Sequence, residues 1–216
     1  MKENKEKKTM PQILWELEVK DKNGKLLNQK KAPARSWLKA FITMLKGEFA
    51  TRHGIATGQG NVNVVDETGT SRGYPHHSSA SLSTYYMNLS TLGDAGDSSQ
   101  GIIVGTSDTP NTLNTYALGG KIAHGTGSGQ LVYGAESIED VTNPSGNDLQ
   151  FRITRTFTNN SGSTVTAKEV GLLIKKYDTY PASRSFLAAR DVLPSPVDVP
   201  DGATLTIRYV VKITVA

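Results

Sequence analysis

Residues 196–216, PVDVPDGATLTIRYVVKITVA, alternate with period two almost to the last position. Ala203, Leu205, Ile207, Tyr209, Val211, Ile213 and Val215 fall on one side. Thr204, Thr206, Arg208, Lys212 and Thr214 fall on the other, with Val210 the only apolar residue out of phase. A helix, repeating every ~3.6 residues, would scatter these side chains around its axis, whereas a strand reverses at each residue. Pro200-Asp201-Gly202 ahead of the run is a tight-turn signal: Pro presets φ and Gly accepts a positive one. The stretch therefore reads as a long, half-buried strand launched from a turn, and it is expected at a sheet edge, where it could pair with another subunit, or next to a partner.

The same grammar extends backwards. LQFRITRTFT (149–158) sets Leu149, Phe151, Ile153 and Phe157 against Gln150, Arg152, Thr154 and Thr156. GIIVGT (101–106) is a short buried run, SFLAARDVL (185–193) a further strand, and YALGGKIAHG (116–125) and QLVYGAESIEDV (130–141) weaker ones. In TVTAKEVGLLIKK (164–176) the apolar parity changes between Ala167 and Val170, which predicts a bulge near Lys168-Glu169. QILWELEVK (12–20) alternates cleanly, and Asn23-Gly24 predicts a two-residue hairpin turn, with both central residues at positive φ and KLLNQKK as the returning strand. Only RSWLKAFITMLKGEF (35–49) reads as helix. Trp37, Leu38, Phe41, Ile42 and Leu45 recur at helical spacing, Ser36 can cap it and Gly47 can end it.

The expected architecture is mainly β: an antiparallel β-sandwich, jelly-roll or immunoglobulin-like, with an N-terminal β-hairpin and one short α-helix. Four regions follow: a basic arm over residues 1–10, a hairpin-plus-helix packing unit over 11–50, a loop-rich segment over 51–100, and the sandwich core over 101–216. Within 51–100, NVNVV (61–65) and Tyr85 to Leu89 are the only strand-like runs.

Composition narrows the function. The chain has 216 residues, 37% hydrophobic and 20% charged, which is globular but lean in apolar residues. Nothing approaches the roughly 18 consecutive apolar residues of a membrane span. The charged start, MKENKEKKTM, has no apolar run behind it and so does not read as a secretory signal. With no cysteine, disulfide frameworks, thiolate zinc sites and cysteine nucleophiles are excluded, which fits synthesis in a reducing cytoplasm. The net charge of +4 is mild and concentrated near the N-terminus, where a solvated arm is the plain reading. Aromatic residues are not interleaved with Lys and Arg along any strand, so a nucleic-acid-stacking face is not expected.

Catalytic signatures are absent from the sequence. His76 and His77 are adjacent and would point to opposite faces of a strand, without metal-ligand spacing. HGTGSGQ (124–130) lacks the Gly-Lys-Ser/Thr of a phosphate loop, and no G-x-S-x-G elbow occurs. The expectation is no catalytic residue, no metal and no cofactor. Two groups of residues stand out. Trp37, Phe41 and Leu45 form an apolar stripe suited to an interface, or simply to covering the sheet. Arg155 sits on the apolar parity of its strand. Either it is buried with a partner, for which Glu169 in the next strand is the candidate, or it lies at a sheet margin and reaches out to solvent.

The segments GIIVGTSDTP (101–110), YALGGKIAHGTGSGQLVYG (116–134), FRITRTFTNNSGSTVTAKEVGLLI (151–174) and LAARDVLPSPVDVPDGATLTIRYVVKITV (187–215) together resemble a group of structural proteins of tailed phages and related archaeal viruses. NVNVVDETGTSRGY (61–74) and ARSWLKAFITML (34–45) also look like parts of it, and residues 75–99 match least. The resemblance implies a virion component made in the host cytoplasm: a capsid decoration or vertex protein, or a neck or tail part. Its partners would be copies of itself and other virion proteins. A receptor- or glycan-binding module of a fibre or spike is the alternative, with Tyr74, Tyr85, Tyr86 and Asn88 as its expected surface.

Overall fold

The computed structural model describes residues 12–34, 37–50, 62–74, 90–179 and 182–214. The basic arm, Ser36, His53, His76, His77, Tyr85, Tyr86 and Asn88 lie outside them. The elements in chain order are β1 (Gln12–Lys20), β2 (Leu26–Pro33), α1 (Lys39–Ala50), β3 (Val62–Val65), β4 (Ser71–Tyr74), β5 (Gly101–Gly105), β6 (Val132–Tyr133), β7 (Ser137–Ile138), β8 (Asp148–Thr158), β9 (Val165–Thr179), β10 (Ala182–Val199) and β11 (Thr204–Thr214).

All strand pairs among these elements are antiparallel. One sheet runs β2-β1-β11-β8-β6 with β7 also on β8, a second runs β10-β9-β5, and β3-β4 is a separate hairpin. The protein is thus mainly β, with one short helix among the described residues. The strand that ends the sequence is not at an edge. β11 lies between β1 and β8, with Trp15 opposite Tyr209 and Phe157 opposite Leu205, because the N-terminal hairpin supplies a further alternating strand that completes its ladder.

Trp15, Leu17 and Val19 of β1, Phe157 of β8 and Leu205 to Tyr209 of β11 bury their apolar parity against Val104 of β5, Leu173 of β9 and Leu187 of β10. Residues of both sheets therefore share one core. A second cluster joins Met44 of α1, Val62 and Val64 of β3, Ile174 of β9, and Phe186 and Ala188 of β10. β9 serves both clusters, and this explains its apparent change of phase. Val165, Ala167 and Glu169 keep one buried parity, and every residue from Glu169 to Ile174 is buried. No bulge falls in β9 at Lys168-Glu169. The irregularity is in β10, where Val192 faces Glu169 and Val197 faces Ala167. The intervening Pro194 and Pro196 cannot donate to a ladder.

The helix starts two residues later and ends later than the spacing predicts. Trp37 forms a bridge with Ala189 instead of a first turn. Gly47, which is buried, lies within the helix. The connection between β8 and β9 is held at Asn159. Its buried side chain donates to Ser163 O at 2.7 Å and Val199 O at 2.6 Å and accepts from Ser161 N at 2.9 Å. The neighbouring Pro200-Asp201-Gly202 turn forms as predicted, with Gly202 at φ 76°.

Candidate functional site

Two buried arginines decide where the loops sit. Arg155, on the core parity of β8, is fully buried. Its guanidinium carries five N–H donors in a fixed fork, and all of them need acceptors away from water. Nε donates to Gly134 O at 2.9 Å, Nη1 to Gln100 O at 2.7 Å and Ile102 O at 3.0 Å, and Nη2 to Asp94 O at 2.9 Å and Asp97 O at 2.5 Å. The Tyr133 ring lies 4.9 Å from Cζ. Five carbonyls thus solvate the charge, and the segment 94–102 is wrapped around one side chain.

Glu136 lies beside this node. Its carboxylate accepts from Ile102 N at 2.8 Å and Gly93 N at 3.3 Å. Burial pushes it up to about 7, against these two donors and the Arg155 charge. Burial likewise lowers the guanidinium of Arg155, while Glu136 favours its charged form.

The expected Arg155–Glu169 pair does not form. Both groups are buried, but Arg155 is satisfied by carbonyls and Glu169 pairs with Arg190, its Oε2 accepting from Nε at 2.5 Å. Arg190 follows Ala189 on β10 at the register position facing Gly171, two residues from Glu169. Sequence offers no signal for this choice, since both arginines occupy apolar stretches and only the register decides between them. The remaining capacity of Glu169 is taken by backbone. Oε1 accepts from Ser107 N at 3.2 Å and Gly120 N at 2.9 Å, and Oε2 from Gly119 N at 3.2 Å. Arg190 Nη1 donates to Asn111 Oδ1, and Asn111 Nδ2 donates back to Arg190 O, both at 2.6 Å. Gly105 is required beneath this arrangement, because a Cβ there would collide with Glu169 Oε1.

The buried pair therefore clamps both ends of the loop 107–120 and leaves its tip displayed. Thr112 N donates to Thr115 Oγ1 at 2.9 Å and Thr115 N to Thr112 O at 3.1 Å, closing a small turn. Leu113 in that turn is 84% exposed and Tyr116 42%. Opposite the tip stands the β3–β4 turn, organised by Asp66. Its carboxylate accepts from Thr68 N, Thr68 Oγ1, Thr70 N and Arg72 Nε at 2.6 to 3.0 Å. Burial alone would raise this carboxyl, but those donors outweigh it and hold it at about 2. The turn presents Gly69, φ +84°, to the Tyr116 ring. A Cβ at Gly69 would sit 3.2 Å from the ring, so only glycine admits both the turn and the contact. Between tip, turn and α1 lies a groove of about 500 Å³.

A second surface lies at the far end of the larger sheet. The core parity of β8 and β11 runs on past the core, so that Leu149 and Ile213, which face each other across the ladder, are 43% and 44% exposed. Ile138 opposite Ile153, and Val141 beside the Thr142–Gln150 bridge, are 50% and 66% exposed.

Of the stripe singled out in the helix, Trp37 and Phe41 pack within the chain. Their ring centroids are 4.2 Å apart and both lie against the Met44–Phe186 cluster. Leu45 is half-buried. The stripe thus covers the smaller sheet. Among the described residues no group of three or more His, Asp or Glu is placed to hold a metal. His124 accepts a hydrogen bond from Tyr133 N at 3.1 Å. Among the described residues no helix is long and apolar enough to cross a membrane. Compared with protein families, curated proteins and solved structures, the chain matches none.

Proposed function

We propose that the protein is a non-enzymatic structural component of a tailed-virus particle, a β-sandwich that acts by self-association and by contacts with other virion proteins. The observation that carries this reading is the uncovered continuation of the core face at Leu149, Ile213, Ile138 and Val141. Isolated exposed leucines need no explanation, but a cross-strand pair with two apolar neighbours on an otherwise core-forming parity is a surface that gains from being covered. The sheet edge is defended differently. β2 carries Lys30, Lys31 and Pro33, residues that discourage strand addition, so association through the open face is favoured over edge pairing. A second copy is the simplest occupant, since an apolar patch can be covered by the same patch of another copy about a two-fold axis. The resemblance of residues 101–215 to virion proteins supports the particle context.

The test is the native mass by light scattering after size exclusion, for the wild type and for Leu149→Glu/Ile213→Glu. The wild type is expected as a discrete oligomer and the variant as a folded monomer, since each association would bury four unpaired carboxylates, two from each copy. A wild type that is monomeric at all concentrations, or a variant with unchanged mass, would overturn the reading.

A further inference from the structure

We propose that the groove between α1, the β3–β4 turn and the Leu113–Tyr116 tip is a saccharide-binding site. This goes beyond the assembly reading and shares no residue with the uncovered end of the larger sheet. The residues expected from sequence to form a glycan surface centred on Tyr85 and Tyr86. The structure instead points to Tyr116.

A sugar ring offers a weakly apolar C–H face and a rim of hydroxyls, each both donor and acceptor. A matching site needs a flat, immobile apolar plate beside neutral groups that can donate and accept at once. Tyr116 is such a plate. One side of its ring rests on Gly69, which fixes it, and it is 42% exposed. Val65 and Leu113, 39% and 84% exposed, extend the apolar wall. Asn63, Ser71 and Asn114 also line the groove, and Ser71 lies directly across the β3–β4 pair from Val65. An amide carries two donors and an acceptor, and a hydroxyl adds one of each, so vicinal sugar hydroxyls can be met in pairs.

The groove's volume, about 500 Å³, falls in the usual range for small-ligand sites, roughly 300–1,000 Å³. Lys39 is the one cation among the lining residues. That is too few for a nucleotide or polyphosphate, yet sufficient for a single sugar carboxylate. The mixed lining, an aromatic plate with neutral amides and hydroxyls beside it, suits a sugar better than the large buried anchors by which a protein segment binds. The scaffold also suits recognition. The Glu169–Arg190–Asn111 clamp and the Asp66 turn hold both walls in place without ligand, so little ordering entropy is lost on binding.

The experiment is saturation-transfer difference NMR on the full chain with methyl glycosides of glucose, galactose, mannose and N-acetylglucosamine, followed by titration of any that respond. At least one is expected to receive saturation, strongest on its ring C–H protons. Tyr116→Ala should weaken it about tenfold or more, and Tyr116→Phe should stay within about threefold. Asn63→Ala, in β3, should weaken binding while leaving the Tyr116 contact with Gly69 in place, and it keeps the test sound if the alanine at 116 unsettles the loop. No transfer to any glycoside, or affinities unchanged in both Tyr116→Ala and Asn63→Ala, would overturn the proposal. So would saturation of the groove by a Ser/Thr-rich peptide but by no glycoside.

Discussion

Replacing Arg155 by methionine, which fills a similar volume without donors, removes five N–H···O=C bonds at once. Asp94 O keeps another donor, the Asp97 N–H at 3.1 Å. Four carbonyls, those of Gly134, Gln100, Ile102 and Asp97, lose a charged donor inside the protein. At about 1 kcal/mol for each buried acceptor left short, the loss is about 4 kcal/mol. Relief from burying a guanidinium offsets part of it, and the balance falls at about 3–4 kcal/mol, similar to breaking a buried ion pair from one side. For a chain of this size that lowers Tm by about 10 °C. Arg155→Lys is expected to be at least as harmful, because an ammonium keeps the desolvation cost with only three donors and no planar fork. Urea unfolding gives the stability change, and amide exchange should show residues 93–102 losing protection first. A loss under about 1 kcal/mol with unchanged protection of that segment would refute the view that Arg155 is its anchor.

Two further outcomes follow from the buried polar groups. Glu136 is raised from 4.5 to about 7, so the folded state retains a proton that the unfolded chain releases. Its contribution is therefore fully present below about pH 4.5 and is lost as pH rises to about 7. The amount is about 3 kcal/mol, and Glu136→Gln should flatten that part of the stability–pH curve, measured by urea unfolding from pH 5 to pH 8. Parallel curves for the two proteins would contradict it. Asn159→Ala removes two donors and one acceptor from the β8–β9 connection. A cost of about 3 kcal/mol is expected in chemical unfolding, and a near-neutral effect would mean that water replaces the amide.

The strands with a single buried face were legible in the sequence because alternation records which side is covered. β1, β8 and β11, with the turn at Pro200-Gly202, follow the pattern closely. Asn23-Gly24 does turn the chain, but in a longer connection than the two-residue hairpin expected: only Gly24 takes a positive φ, and Asp21 N donates to Lys25 O. β9 misleads for the same reason. Once α1 and the β3–β4 hairpin cover its second face, alternation disappears, and the sequence imitates a bulge. The helix boundary is displaced because Trp37 finds a bridge partner in Ala189, a competition that local propensity does not register.

Arg155 was readable as an anomaly, a long cation on an apolar parity, but whether it was buried or reached solvent from a sheet margin was not. Nor were its partners. They are backbone carbonyls of residues 94–102 and 134, and no side-chain pattern marks a carbonyl as available. Glu169 and Arg190 are likewise matched by the pairing of β9 with β10, and a one-residue slip would have separated them. The groove at Tyr116 depends on three segments distant in sequence, each held by its own buried carboxylate or turn. By itself, then, the sequence determined a mainly β chain with one helix, the faces of its singly covered strands and an arginine out of place on an apolar parity, because these depend on spacing along the chain. Only the tertiary structure decided which charges pair, which loops they clamp and where the core face is left open, because those outcomes depend on register and on what packs over each face.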